Sequence, residues 1–253
     1  MEITYSVRMT PSTPPRTTAA GPASGRRPRN SLTADAILDA AEQVAAHGLD
    51  ELTIRAVAAE LSASPMALYR YFATKDELVD ALLDRVLGRF DPGPETDDWL
   101  ADLAAFTRAH GRLLAQHPWA VTVLFSHPTP GLNAVAIGES ALSILHRGGI
   151  GGADAVATFS ALIALNYGWS AFAVARDPAQ PVAERAPDIA PLLGALPADA
   201  FPFTAAVVVP MADYGSPEQY ERALGLLIAG IGGSQPGPPR RGRRGRGRAG
   251  PPH

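Results

Sequence analysis

Ten side chains between Thr53 and Lys75 have the chemistry and spacing to engage a nucleic acid. Arg70 carries the guanidinium fork that can make two parallel hydrogen bonds to the major-groove edge of guanine. Met66 and Ala67 could meet a thymine methyl there. Thr53, Arg55, Tyr69, Tyr71 and Lys75 can donate to phosphate oxygens, contacts that set position rather than sequence. Ser64 and Pro65 open the segment that would present them, Ser64 as a helix N-cap and Pro65 at the first helical position, where a missing N–H costs nothing. Lys75 adjoins the first-turn amides of a following helix, a pairing suited to an anion.

These residues need short helices at defined angles, and the surrounding pattern predicts them. Thr33 caps a first helix to about His47, with Ile37, Leu38, Ala41, Val44 and Ala45 on one face, and Gly48 ends it. Thr53 caps a second helix from Ile54 to Leu61, with Ile54, Val57, Ala58 and Leu61 inward. After a short break, Ser64 starts a third helix that continues through Phe72, with Leu68 and Phe72 facing the core. Thr74-x-x-Glu77 is a capping box that opens a fourth helix. Helix, three-to-four-residue turn, short helix is the helix-turn-helix plan. The same spacing also suits a plain helical bundle with incidental surface arginines. Arg26, Arg27 and Arg29 precede the first helix, where an arm could reach a minor groove.

The segments Ile37-Leu38-Asp39-Ala40-Ala41, Gly48 through Ala58, and Ala67-Leu68-Tyr69-Arg70-Tyr71-Phe72 with Lys75-Asp76-Glu77-Leu78 resemble the DNA-binding domain of the TetR family. The resemblance implies a dimeric regulator on double-stranded operator DNA, with Tyr69 and Lys75 at the family's DNA-contacting positions. Ser62 stands in the turn where a glycine often sits, a position compatible with left-handed backbone. More faintly, His117-Pro118-Trp119 and the run from Tyr220 to Ile231 resemble the C-terminal domain of the tetracycline repressor, which implies a dimeric four-helix bundle and a small-molecule effector. The histidines that hold a magnesium–drug chelate there fall near Asp91 and Phe125 here, so that ligand is not expected.

An all-α fold follows: a disordered Arg/Pro-rich arm at 1–30, a three-helix helix-turn-helix domain at 31–80 whose fourth helix continues to about 90, a helical ligand-binding and dimerisation domain at 97–232, and a disordered Arg/Gly/Pro tail at 233–253. In the second domain, helices are expected at about 97–116, 118–126, 131–147, 153–176, 187–196 and 217–231, with Val207-Val208-Val209 in a loop. Leu224, Leu227, Ile228 and Ile231 form an apolar stripe that needs a partner. Polar or aromatic residues at otherwise apolar positions are the candidates for an effector pocket: Trp119, Phe125, His127, Asn133, Asn166, Tyr167, Trp169 and Phe172.

Composition narrows the remaining choices. The chain has no cysteine, which excludes disulfides, thiolate metal sites and a cysteine nucleophile. Residues 1–30 lack the apolar run of a secretory signal, and a cytoplasmic protein is expected. The net charge of −3 conceals an acidic body between two arginine-rich ends, so any grip on a polyanion must be local. Residues 155–175 carry no charge. That length could span a bilayer, but a buried core or dimer helix is the preferred reading and no membrane partner is expected. His110 and His117 lie seven apart, too far for one zinc ion without other ligands. The Gly148–Gly152 region lacks the Gly-Lys-Ser/Thr of a phosphate loop. No cofactor, metal or catalytic constellation is expected. The alternative is a helical small-molecule-binding protein or enzyme with a vestigial helix-turn-helix.

Overall fold

The computed structural model describes residues 32–126, 131–176, 189–213 and 215–233. The described residues form α-helices joined by turns, without a strand. The helices α1 (Ala34–Ala45), α2 (Ile54–Glu60) and α3 (Pro65–Leu68) make a small bundle closed by α4 (Lys75–Leu87). A larger bundle follows: α5 (Trp99–Gln116), α6 (Pro118–Ser126), α7 (Leu132–Arg147), α8 (Gly152–Arg176) and α12 (Pro217–Gly233), with short helices α9 (Ala190–Gly194), α10 (Pro202–Ala205) and α11 (Val208–Ala212) between the last two.

Side-chain caps set the starts of the first four helices. Thr33, Thr53, Ser64 and Thr74 accept hydrogen bonds from Ala36, Ala56, Ala67 and Glu77 amides at 3.1, 3.1, 3.3 and 3.0 Å. Each such cap stabilises its helix by about 1 kcal/mol. The Glu77 carboxylate returns to the Ala73 N–H at 2.7 Å, one residue before the cap. Ser62 sits at φ 50°, the left-handed conformation in which a glycine is cheaper. The third helix is shorter than its sequence pattern predicts. It stops at Leu68, and Tyr69 to Tyr71 continue as turns tied back by Tyr71 N–H to Leu68 O (2.9 Å) and Phe72 N–H to Leu68 O (3.1 Å). A four-residue helix has almost no stability of its own. It is held by Leu68, wholly buried, and Phe72, nearly so, against a core that includes Ile37, Leu52, Val57, Leu78 and Leu82.

In the larger bundle α5 lies centrally, packed on α6, α7, α8 and α12. The turn before it is pinned to the end of α7: Arg147 donates to Asp102 (2.5 Å) and to the Thr96 carbonyl (2.7 Å), and Thr96 donates twice to Asp102. Arg147, with Thr96, holds the Asp102 carboxyl down at about 2. Two expectations are corrected. Val208 and Val209 belong to α11 rather than a loop, because Pro210 lies in the first turn, where a helix tolerates it. The α12 stripe faces its own chain: Leu224 and Ile231 are buried and Leu227 and Ile228 half-buried against α5 and α8, while Leu226 points outward at 73% exposure. α8 is long and apolar enough to cross a membrane, yet only 22% of its apolar stretch is buried within one chain. Its exposed positions are mainly Ala, Ser and Val, including Val156.

Leu68→Ala removes the anchor of α3 and leaves a cavity. It is expected to lower stability by about 2–5 kcal/mol in chemical denaturation, whereas Met66→Ala, on the exposed side of the same helix, should change it by less than about 0.5 kcal/mol.

Candidate nucleic-acid interface and effector pocket

With Leu68 and Phe72 inward, the rest of the Ser64–Phe72 segment turns out. Met66 is 74% exposed, and Ser64, Pro65, Tyr69, Arg70 and Tyr71 are exposed too, with Ala67 partly covered. Thr53 and Arg55 at the start of α2 and Lys75 at the start of α4 are also exposed. Thr53 and Ser64 accept bonds from their own helices, so each hydroxyl proton remains available to a phosphate oxygen. The fold therefore leaves all ten sequence-derived residues accessible on the first four helices. Arg26, Arg27, Arg29 and the terminal arginines lie outside the described residues.

α4 connects this unit to the larger bundle. On one side Arg85 donates to the Asp35 carbonyl (3.0 Å) and pairs with Asp39, and Arg89 grips Glu42 through two bonds of 2.5 and 2.6 Å. Arg89 lowers the Glu42 pKa, and His117 Nδ1 stands 3.8 Å from the same carboxylate. On the other side Asp84 accepts from the Asn133 backbone N–H and side-chain amide, each at 2.9 Å. That amide also donates to the Asp84 carbonyl. Gly131 is obligatory here, since a Cβ would stand 2.1 Å from Asp84 Oδ1. Asn133, expected in an effector pocket, is thus a clasp between α4 and α7.

The other pocket candidates divide. Phe125 and Tyr167 meet edge to face at 5.1 Å, and Tyr167 lies 6.0 Å from His110, which faces Phe90 at 6.4 Å. Trp169 contacts Phe172 and Tyr220 at 6.2 and 5.8 Å. Trp119 is buried beside His117, away from that group, and lines a cleft that reaches α1. His127 lies outside the described residues.

Asn166 proves to be the centre of a buried polar junction of three helices. Its amide donates to the Thr107 carbonyl (2.8 Å) and to His110 Nδ1 (3.0 Å), and its oxygen accepts from the Tyr220 hydroxyl (2.9 Å). A Cβ at Gly111 would stand 3.1 Å from the Tyr220 hydroxyl and 3.2 Å from Asn166 Oδ1, so glycine permits the close approach. Burial depresses His110 to about 4, and with Asn166 offering a proton to Nδ1, the ring is neutral with its hydrogen on Nε2. Burial pushes Tyr220 up to about 12. Sequence reasoning overlooked His110, Tyr220 and Asp84 as site residues. The available signal was an Asn and a Tyr beside apolar stretches of α8 and α12, where each needs a partner if buried.

A helix-turn-helix unit joined through α4 to a helical bundle lined with aromatic side chains defines a class of two-part regulatory proteins. Residues 37–82 match the family model described as bacterial regulatory proteins, tetR family, and residues 91–233 match that of the tetracyclin repressor-like C-terminal domain. The chain belongs to the TetR family. It is 39% identical over 128 residues to the HTH-type transcriptional repressor DrrR1 of Streptomyces coeruleorubidus, spanning 49% of this chain and 47% of that protein. The chain spans about half the length of the curated relatives it matches. Apo ActR from Streptomyces coelicolor superposes with a TM-score of 0.71 and 25% identity over 81% of this chain and 97% of ActR. ActR in complex with actinorhodin gives 0.69 and 27% over 79% and 96%.

The His110 environment sets a pH dependence. Its folded pKa, about 4, lies below the ordinary 6.5, so between these values the unfolded chain binds a proton that the native chain refuses. Stability present above pH 6.5 is lost as the pH falls toward 4, by about 3 kcal/mol at most. Thermal melts from pH 7.5 to 4.5 should show a steeper loss for the wild type than for His110→Gln.

Proposed function

We propose that this chain is a homodimeric, sequence-specific repressor that grips double-stranded operator DNA and leaves it when a small molecule occupies the helical domain. The observation that carries this reading is the exposed Met66-Ala67-x-Tyr69-Arg70-Tyr71 face on a helix-turn-helix whose inward side chains are fully committed to packing. Arg70 reads a guanine, Met66 and Ala67 approach thymine methyls, and Thr53, Arg55, Ser64, Tyr69, Tyr71 and Lys75 position the unit on phosphates, with Pro65 setting the helix start. The name of DrrR1 as a repressor and the complex of ActR with actinorhodin support repression and a small-molecule effector.

Dimerisation is supported by the apolar outer faces of α8 and α12, where Val156 and Leu226 are exposed beside alanines and glycines. Small residues let two helix pairs approach closely, and a second copy is the occupant that also doubles the reading helices for a two-fold operator. The acidic body and the family's regulatory role support the reading of a cytoplasmic regulator rather than an enzyme.

On a duplex selected from a random pool, Arg70→Ala should cost about 1–3 kcal/mol and relax the preference at one base position. Lys75→Ala should weaken all sequences alike and reduce the salt slope by about one. Fluorescence anisotropy across a salt series measures both, and equal loss on selected and scrambled duplexes for Arg70→Ala would contradict the base-reading role. Leu226→Glu should yield a monomer in light scattering and weaken operator binding by more than either change.

A further inference from the structure

Residues 234–253 lie outside the described residues and take no part in the proposed operator contact. They carry six arginines, at 240, 241, 243, 244, 246 and 248, and no acid. The rest is Gly, Pro, Ser, Gln, Ala and His253, so the segment has no large apolar side chain with which to join a core. Arginines interleaved with glycines present guanidinium forks, which bind phosphate through paired hydrogen bonds. There is no Phe, Tyr or Trp to stack on unpaired bases, which favours a duplex backbone over a single strand.

The fold roots this segment far from the reading helix. α12 ends at Gly233 against the first turn of α5, where a Cβ at Gly232 would stand 2.8 Å from Leu100 Cδ1. The 18 residues of α5 then run about 27 Å to His117, which meets Glu42 of α1. Arg89, bound to the same Glu42, lies about 20 Å along α4 from Lys75 on the reading side. Arg240 is seven residues beyond Gly233, at most about 25 Å of chain, and ends before the far end of α5. Arg248, at about 50 Å, spans the whole route only when fully extended. Nearby acids do not neutralise the run. Asp98 caps α5, and Glu95 and Asp102 pair with Arg147, leaving Asp97 and Asp154 against the six arginines among the described residues at that end.

We infer that residues 240–248 are a second, sequence-independent DNA contact, through which the protein seated on its operator holds another duplex. The inference rests on the operator-binding reading above. Phosphate contacts release counterions, so this hold weakens steeply with salt.

The test uses the full-length protein. The duplex selected from a random pool is fixed to beads, loaded with protein and washed, so that the reading helices are occupied. A fluorescent scrambled duplex is then added. Wild type should retain about tenfold more label at about 50 mM salt than at about 200 mM. A variant carrying Arg240→Ser, Arg241→Ser, Arg243→Ser, Arg244→Ser, Arg246→Ser and Arg248→Ser should lose this capture by about tenfold, while binding the selected duplex within about twofold of wild type. No capture by the wild type, or capture that survives in the variant, overturns the inference. So does an operator affinity that falls about tenfold in the variant, because the arginines then lie on the operator itself. Stronger capture of a labelled single strand than of the duplex overturns it too. A pool that yields no preferred duplex refutes the regulator reading alone. Anisotropy of the scrambled duplex then decides the contact: equal affinity for both proteins overturns it, and a loss of about tenfold in the variant upholds it.

Discussion

The structure depends on α4 belonging to two packed bundles at once. Its Leu78, Val79, Leu82, Leu83, Val86 and Leu87 are all buried, which needs neighbours on more than one side. α1 covers one side, and α6 and α7 cover others. Because packed side chains are close to crystalline density, a shift of α4 cannot be absorbed within it and is passed to its neighbours. The polar contacts reinforce this. Arg85 and Arg89 fasten α4 to α1, and Asp84 fastens it to α7. Exposed pairs of this kind add little stability, but they fix the rotation of α4 about its axis and therefore the direction in which the reading segment faces.

The charge distribution fits a local grip. The chain is acidic between its arginine-rich ends, so long-range attraction to DNA does not come from the body. Arg55, Arg70 and Lys75 are the cations that the first four helices offer near the reading segment. In the proposed dimer, binding relies on geometry: two such units held at a fixed distance, with their phosphate contacts adding across both half-sites. In that proposal the outer faces of α8 and α12 matter for DNA although they lie in the larger bundle. It also gives meaning to the two kinds of interior in that bundle. The aromatic series Phe106, Phe90, His110 and Tyr167 packs α5 to its neighbours, with the exposed Phe125 against Tyr167 at its end, whereas the Asn166 junction ties α5, α8 and α12 through directed bonds that tolerate little displacement.

Much of the fold was legible because its signals are local. Thr33, Thr53, Ser64 and Thr74 were readable as caps from residue type and position, and α1, α2, α4, α5 and α8 follow from apolar spacing. The end of α3 was not. Tyr69 to Phe72 has helical character in sequence, and only the packing of Phe72 decides that the chain turns there. Val208 and Val209 were expected in a loop because prolines surround them, yet Pro210 falls in a helix's first turn. At the site, exposure of the reading face follows from where Leu68 and Phe72 must go, so it could be read in advance. The partners of Asn133 and Asn166 could not, because Asp84 lies 49 residues from the first and Tyr220 54 from the second. Spacing along a chain carries no information at that range.

The central claim is that two helix-turn-helix units, held by one rigid dimer, read one two-fold sequence. Selection of duplex DNA from a random pool by the purified protein, followed by sequencing of the bound fraction, tests it most directly. The account predicts enrichment of an inverted repeat whose half-sites are centred about one helical turn or a multiple apart. Recovery of a random pool, or of a single unrepeated site, would contradict it.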